Sequence, residues 1–200
     1  RPLQDAATVR RGKDKGKPLA ELRPEVVEQL ERLGWERALI YKTLVLTGLR
    51  LNELRTLTIG QVVLDGDYPS LTLIAANEKN RQGNTLPLRR DLATDLTLWL
   101  KSEEERLLGP AAIASSCQTP EILPMSAPSG ELPASRNLFY VPKGMIRILN
   151  RDLAMAGIPK RDERGRTVDL HAMRHTLGTL LSKGGVTPRT AQAAMRHSTI

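Results

Sequence analysis

Apolar side chains recur through most of this chain at helical spacing, with one short stretch at the spacing of strands. Pro24 suits a first helical turn, Val26, Val27, Leu30 and Leu33 make a stripe, and Gly34 fits the position past a helix end. Residues 24–34 are therefore predicted as one helix. Residues 36–47 are apolar nearly all round, the pattern of a buried helix, and end at Gly48. Leu51, Leu54 and Leu57 then recur at spacing three, which predicts a further helix from about Leu51. Residues 71–76 and 85–88 read as two strands of a hairpin, joined by a polar turn that contains Gly83. Pro87 cannot donate to a ladder, so its strand belongs at an edge or near its own end.

Beyond the hairpin, Asp91 caps a helix with Leu92, Leu96, Trp99 and Leu100 on one face, stopping at Gly109. Residues 110–136 hold five of the thirteen prolines and little periodicity, and are predicted as a long inserted loop. Helix returns from about Gly144 to Ala156, with Gly157 as its stop. Asp169 caps another helix through about Lys183, and Thr187 and Pro188 open the last, at N-cap and N1. The expected fold is mainly α with a small antiparallel β-sheet, an α+β architecture.

Composition narrows the function. The chain has 200 residues, is 40% hydrophobic and carries a formal charge of +8, so a core is available and a polyanionic partner, nucleic acid first, is favoured. Residues 1–18 are polar and basic and are read as a linker or arm, with Arg10 and Arg11 as candidate phosphate contacts or a merely solvated stretch. With Cys117 as the single cysteine, an intramolecular disulfide and a cysteine-based zinc site are excluded, and a reducing, cytoplasmic setting is expected. No apolar run is long enough to cross a bilayer, so no membrane partner is expected.

All three histidines fall between 171 and 197. On a helical wheel, Leu170, Met173, Leu177, Leu180 and Leu181 form an apolar stripe, while His171, Arg174, His175, Gly178 and Ser182 gather on a neighbouring face. Arginine offers a permanently charged fork matched to phosphate oxygens, and histidine can donate to the same phosphate or move a proton near neutrality. The small residues would let a ligand approach. The plain alternative is helix packing and a solvated face. His171 and His175 also stand four apart, as zinc ligands often do, but Ala172 occupies the place of the general-base glutamate, and no metal or other cofactor is expected.

Residues 171–181, HAMRHTLGTLL, resemble the second conserved box of the tyrosine recombinases of the phage-integrase kind, and residues 47–54, TGLRLNEL, resemble the first. MRHS at 195–198 stands where that family has Gly-His-Ser, and Lys79 precedes Pro87 where the family places a lysine ahead of a Val-Pro-Leu strand. The resemblance implies the tyrosine-recombinase catalytic-domain fold over residues 19–200. It implies catalytic roles for Arg50, Lys79, His171, Arg174 and His197, with Glu53 and His175 in support and Arg81 beside Lys79 on a DNA-facing loop. Arg50 and Arg174 would bind the scissile phosphate, Lys79 would protonate the departing 5′ oxygen, His171 would act as general acid–base and His197 would hydrogen-bond the phosphate. Glu53 would orient Arg50, where the plain alternative is a local ion pair.

The family's nucleophile is a tyrosine near position 206, past Ile200, and Tyr41, Tyr68 and Tyr140 all precede the second box. Residues 1–200 are therefore expected to bind double-stranded DNA as a monomer without cleaving it, whereas the full-length protein would work as a homotetramer through a 3′-phosphotyrosyl intermediate. Arg196 departs from the family's glycine, adding a cation that would sit near DNA in the turn before His197. A non-catalytic DNA-binding relic and a type IB topoisomerase are the alternatives.

Overall fold

A computed structural model of the chain describes residues 9, 11–13, 15–17, 23–77, 83–114 and 132–196, of which 77 and 108–114 are described by backbone alone. The chain forms two compact units, one of residues Arg1–Leu54 with Phe139–Ile200 and one of Arg55–Leu138. The helices are α1 (Pro24–Thr47), α2 (Leu51–Thr56), α3 (Arg90–Ala114), α4 (Met145–Met155), α5 (Leu170–Lys183) and α6 (Pro188–Ala194). Three strands, β1 (Val62–Val63), β2 (Ser70–Leu73) and β3 (Asn84–Pro87), make one antiparallel sheet in that order. Mainly α with a small antiparallel sheet is thus the observed class.

In the first unit, the two helices expected at 24–34 and 36–47 are one. Gly34 keeps helical backbone, and the apolar positions on either side continue a single face that carries Leu39, Ile40 and Leu44 into the core. A glycine inside a helix costs about 1 kcal/mol relative to alanine, too little to break one held by packing. α1 packs against α5. Asp169 caps α5 as expected, its carboxylate accepting the Ala172 N–H at 2.7 Å, and Thr187 caps α6 ahead of Pro188. Of the expected α5 stripe, Leu170 is buried but Leu180 is 46% exposed.

In the second unit, β2 pairs with β3 from Ser70↔Pro87 to Leu73↔Asn84, a register that puts Leu71, Leu73, Leu86 and Leu88 inward. Thr72 and Thr85 stand outside with their hydroxyls 3.2 Å apart. β3 is an edge strand and Pro87 ends it, as its missing N–H requires. The two-residue β1 is too short to leave a period. α3 runs past Gly109 and Pro110 to Ala114, five residues beyond the expected stop. Ala111, Ala112 and Ala114 are strong helix formers, and a helix already underway needs no new nucleus. Residues 132–138 return to the unit, where the Leu138 N–H donates to the Leu57 carbonyl and the Trp99 indole donates to the Leu138 carbonyl. The expected loop insertion at 110–136 therefore begins as helix, and its residues 115–131 lie outside the described ones.

Candidate active site

The first unit gathers four charged side chains from three distant segments around the turn after α1. That turn needs Gly48. Its φ is 63°, and a Cβ there would lie 2.7 Å from Leu177 Cδ2. Gly48 thereby lets α1 end against α5 and turns its carbonyl toward two arginines. Arg174 donates to it through Nη1, and also to the Met195 carbonyl through Nη2. Arg196 Nη2 donates to the same Gly48 oxygen at 3.3 Å. Arg174 is 2% exposed, so it lies on the buried side of α5 rather than with the exposed His171 and His175. A charged group can be buried there because peptide carbonyls receive its N–H groups.

Arg50 lies at the entrance to α2, where its carbonyl accepts the Leu54 N–H. Glu53 reaches back from the third helical position, half of a capping box. Glu53 Oε2 accepts the Arg50 backbone N–H at 2.8 Å and Oε1 accepts Arg50 Nη1 at 2.8 Å. Arg196 Nη2 completes the set on Oε2 at 2.9 Å. Burial alone would push the Glu53 carboxyl up, but the hydrogen bonds from Arg50 and Arg196 outweigh it and hold the group below its ordinary range. Glu53 is therefore an ionised carboxylate at neutral pH.

The expected sites divide accordingly. Arg50, Glu53 and Arg174 meet around Gly48. His171 and His175 share α5 with Arg174, and their rings make an edge contact at 4.8 Å. Lys79, Arg81, Arg10 and His197 lie outside the described residues, while Arg11 is exposed. Gly178 does not make room for a ligand, because a Cβ there would meet Met195 Sδ at 2.7 Å. Arg196 is the correction of most consequence. Expected as a cation beside DNA, its side chain is 2% exposed and turned inward to Glu53. The only local hint was a bulky residue at a glycine position, and its backbone does adopt φ 53°. Of the tyrosines, Tyr41 donates to Asp152 Oδ2 at 2.9 Å, and burial followed by that carboxylate raises its pKa far above the ordinary phenol value. Among the described residues, no group of three or more His, Cys, Asp or Glu side chains is placed to hold a metal ion.

The sequence profile described as the phage integrase family matches residues 21–200. The chain belongs to the phage integrase family. No curated protein matches it in sequence. Among solved structures, XerH site-specific recombinase bound to difH substrate in a pre-cleavage complex is similar at TM-score 0.55 and 19% identity, over 90% of this chain and 43% of that one. XerA recombinase is similar at 0.53 and 20%, over 91% and 56%. The integrase from mycobacterium phage Brujita is similar at 0.52 and 18%, over 93% and 53%. At these identities the likeness is one of fold, and the integrase-family chain spans about half the length of each structure. No helix among the described residues is long and apolar enough to cross a membrane.

Proposed function

We propose that this integrase-family chain is the catalytic domain of a site-specific DNA recombinase that breaks and rejoins strands through a 3′-phosphotyrosyl intermediate. The observation that carries the reading is the convergence of Arg50 and Arg174, from the two boxes of the resemblance, on the turn at Gly48. A phosphodiester gains negative charge as it becomes five-coordinate, and preorganised guanidinium groups favour that state over the ground state. Arg50, which solvent reaches and whose fork Glu53 fixes, takes one non-bridging oxygen, and Arg174 takes the other by exchanging a peptide carbonyl for the phosphate. His171 acts as general acid–base, with His175 in structural support. His197 as a phosphate donor, Lys79 as the acid for the leaving oxygen, and Arg81, Arg10 and Arg11 as DNA contacts rest on the resemblance alone.

In the full-length protein, a tyrosine near position 206 attacks the phosphorus, its phenolic proton passing to His171, while the P–O5′ bond breaks. The 5′ oxygen leaves as a hydroxyl with the proton from Lys79. The ester keeps the energy of the broken bond, so resealing by a partner strand's 5′-hydroxyl needs no nucleotide. Exchange between two duplexes engages four protomers, on DNA in the cytoplasm. Residues 1–18 serve as a basic linker and 19–200 as the catalytic body.

A nicked suicide duplex tests the reading. The full-length protein is expected to form a covalent adduct, Arg174→Ala to form none while keeping most duplex affinity, and residues 1–200 alone to bind without an adduct. Affinity of those residues is expected to fall by roughly 10³ between 50 and 200 mM salt if six phosphates are contacted. A full-length protein that binds duplex and never forms an adduct would mark a non-catalytic relic.

A further inference from the structure

We propose that Arg196 is a positioning residue that acts through Glu53 to fix the Arg50 guanidinium in the site. The inference rests on the recombinase reading for its effect on cleavage, but its geometry stands apart from it. Arg196 is the one non-glycine residue with positive φ among the described residues, at 53°. A side chain there incurs a steric penalty that glycine would avoid. What it gains is reach. Its Nη2 lies 2.9 Å from Glu53 Oε2 and 3.3 Å from the Gly48 carbonyl, across 143 and 148 positions of sequence.

The distribution of donors on Glu53 gives the contact its consequence. Oε2 receives Arg196 together with the Arg50 backbone N–H, and Oε1 receives the Arg50 guanidinium. Arg196 and the Arg50 backbone N–H together hold Oε2, which keeps Oε1 aimed at the Arg50 guanidinium. The Arg50 side chain is 27% exposed against 2% for both Glu53 and Arg196. The network is thus rooted in the interior and ends in one arginine that solvent reaches. Packing alone does not explain it, because well-packed apolar residues in place of both partners of a buried ion pair commonly cost no stability. What an apolar residue cannot do is orient a carboxylate.

The test uses Arg196→Met, Arg196→Lys and Arg196→Gly. Hydrogen exchange at Arg50 Nε and the titration of the Glu53 carboxyl are followed by NMR in this chain, and cleavage of the suicide duplex in the full-length protein. In the folded methionine variant, Arg50 exchange is expected to quicken, the Glu53 midpoint to rise, and cleavage to fall about 10²-fold with duplex affinity unchanged, the scale of a small misplacement of a catalytic group. Lysine, which keeps the charge, is expected to restore part of the Arg50 order. Should the methionine variant not fold, the glycine variant, free of backbone strain, carries the same comparison. Unchanged Arg50 exchange in a folded methionine or glycine variant would overturn the assignment and leave Arg196 as a fold clamp. A wild-type protein that makes no adduct would count against the recombinase reading, and the Arg50 and Glu53 signals would still decide the role of Arg196.

Discussion

Glu53 and Glu103 are both buried carboxylates gripped by two arginines, one three residues away and one distant in sequence, yet their surroundings differ. Glu103, in the second unit, accepts from Arg106 at 2.9 Å and Arg136 at 2.8 Å, and those side chains are 40% and 36% exposed. Glu53, in the first, accepts from Arg50 at 2.8 Å and from Arg196 at 2.9 Å, the latter almost wholly buried. The distances match, so distance alone cannot rank the two. Water shields the arginines of Glu103, and they can be resolvated if their partner is lost. Arg196 has no such recourse, and its charge stays in the interior whatever becomes of Glu53.

The largest expected effect follows from that contrast. Glu53→Gln should destabilise the chain by about 3–5 kcal/mol, because it strips the counter-ion from a buried guanidinium. Glu103→Gln should cost about 1 kcal/mol. Urea denaturation of both variants checks the ranking, and equal losses would erase the distinction. Gly48→Ala attacks the carbonyl that Arg174 and Arg196 share. It places an alanine at positive φ and drives its Cβ against Leu177, at a cost of about 2–4 kcal/mol by the same measurement.

Acid sharpens the comparison further. The folded pKa of Glu53 lies below its ordinary value of 4.5. Its contribution is therefore complete above that value and is lost as pH falls from there through the folded pKa. Urea midpoints between neutrality and pH 3 should fall more for the wild type than for Glu53→Gln. Parallel curves would mean that Glu53 is not held ionised. The smallest effect is that of salt. Raising ionic strength to 1 M should shrink the Glu103→Gln difference and leave most of the Glu53→Gln difference, since screening acts on exposed charges.

Which parts of this were readable beforehand follows from how far each signal reaches along the chain. Asp169 and Thr187 mark helix starts because a cap bonds an N–H three residues on. The β2–β3 pairing was readable because alternating leucines and Pro87 determine faces and edge within a few residues. Gly34 and Gly109 misled for the converse reason: glycine is only a weak helix breaker, and whether one yields depends on packing that local sequence does not contain. Arg50 and Glu53 are neighbours on a helix start, so their pairing was visible. The helical wheel grouped Arg174 with the histidines because it counts a charge as polar, whereas the carbonyls of Gly48 and Met195 make its burial possible. The partner of Arg196 lies 143 positions away, beyond any local pattern.

The decisive measurement is a structure of the full-length protein on a nicked duplex. One phosphate is expected within about 3 Å of both the Arg50 and Arg174 guanidinium groups. Arg50 and Arg174 on separate phosphates, or on none, would contradict it.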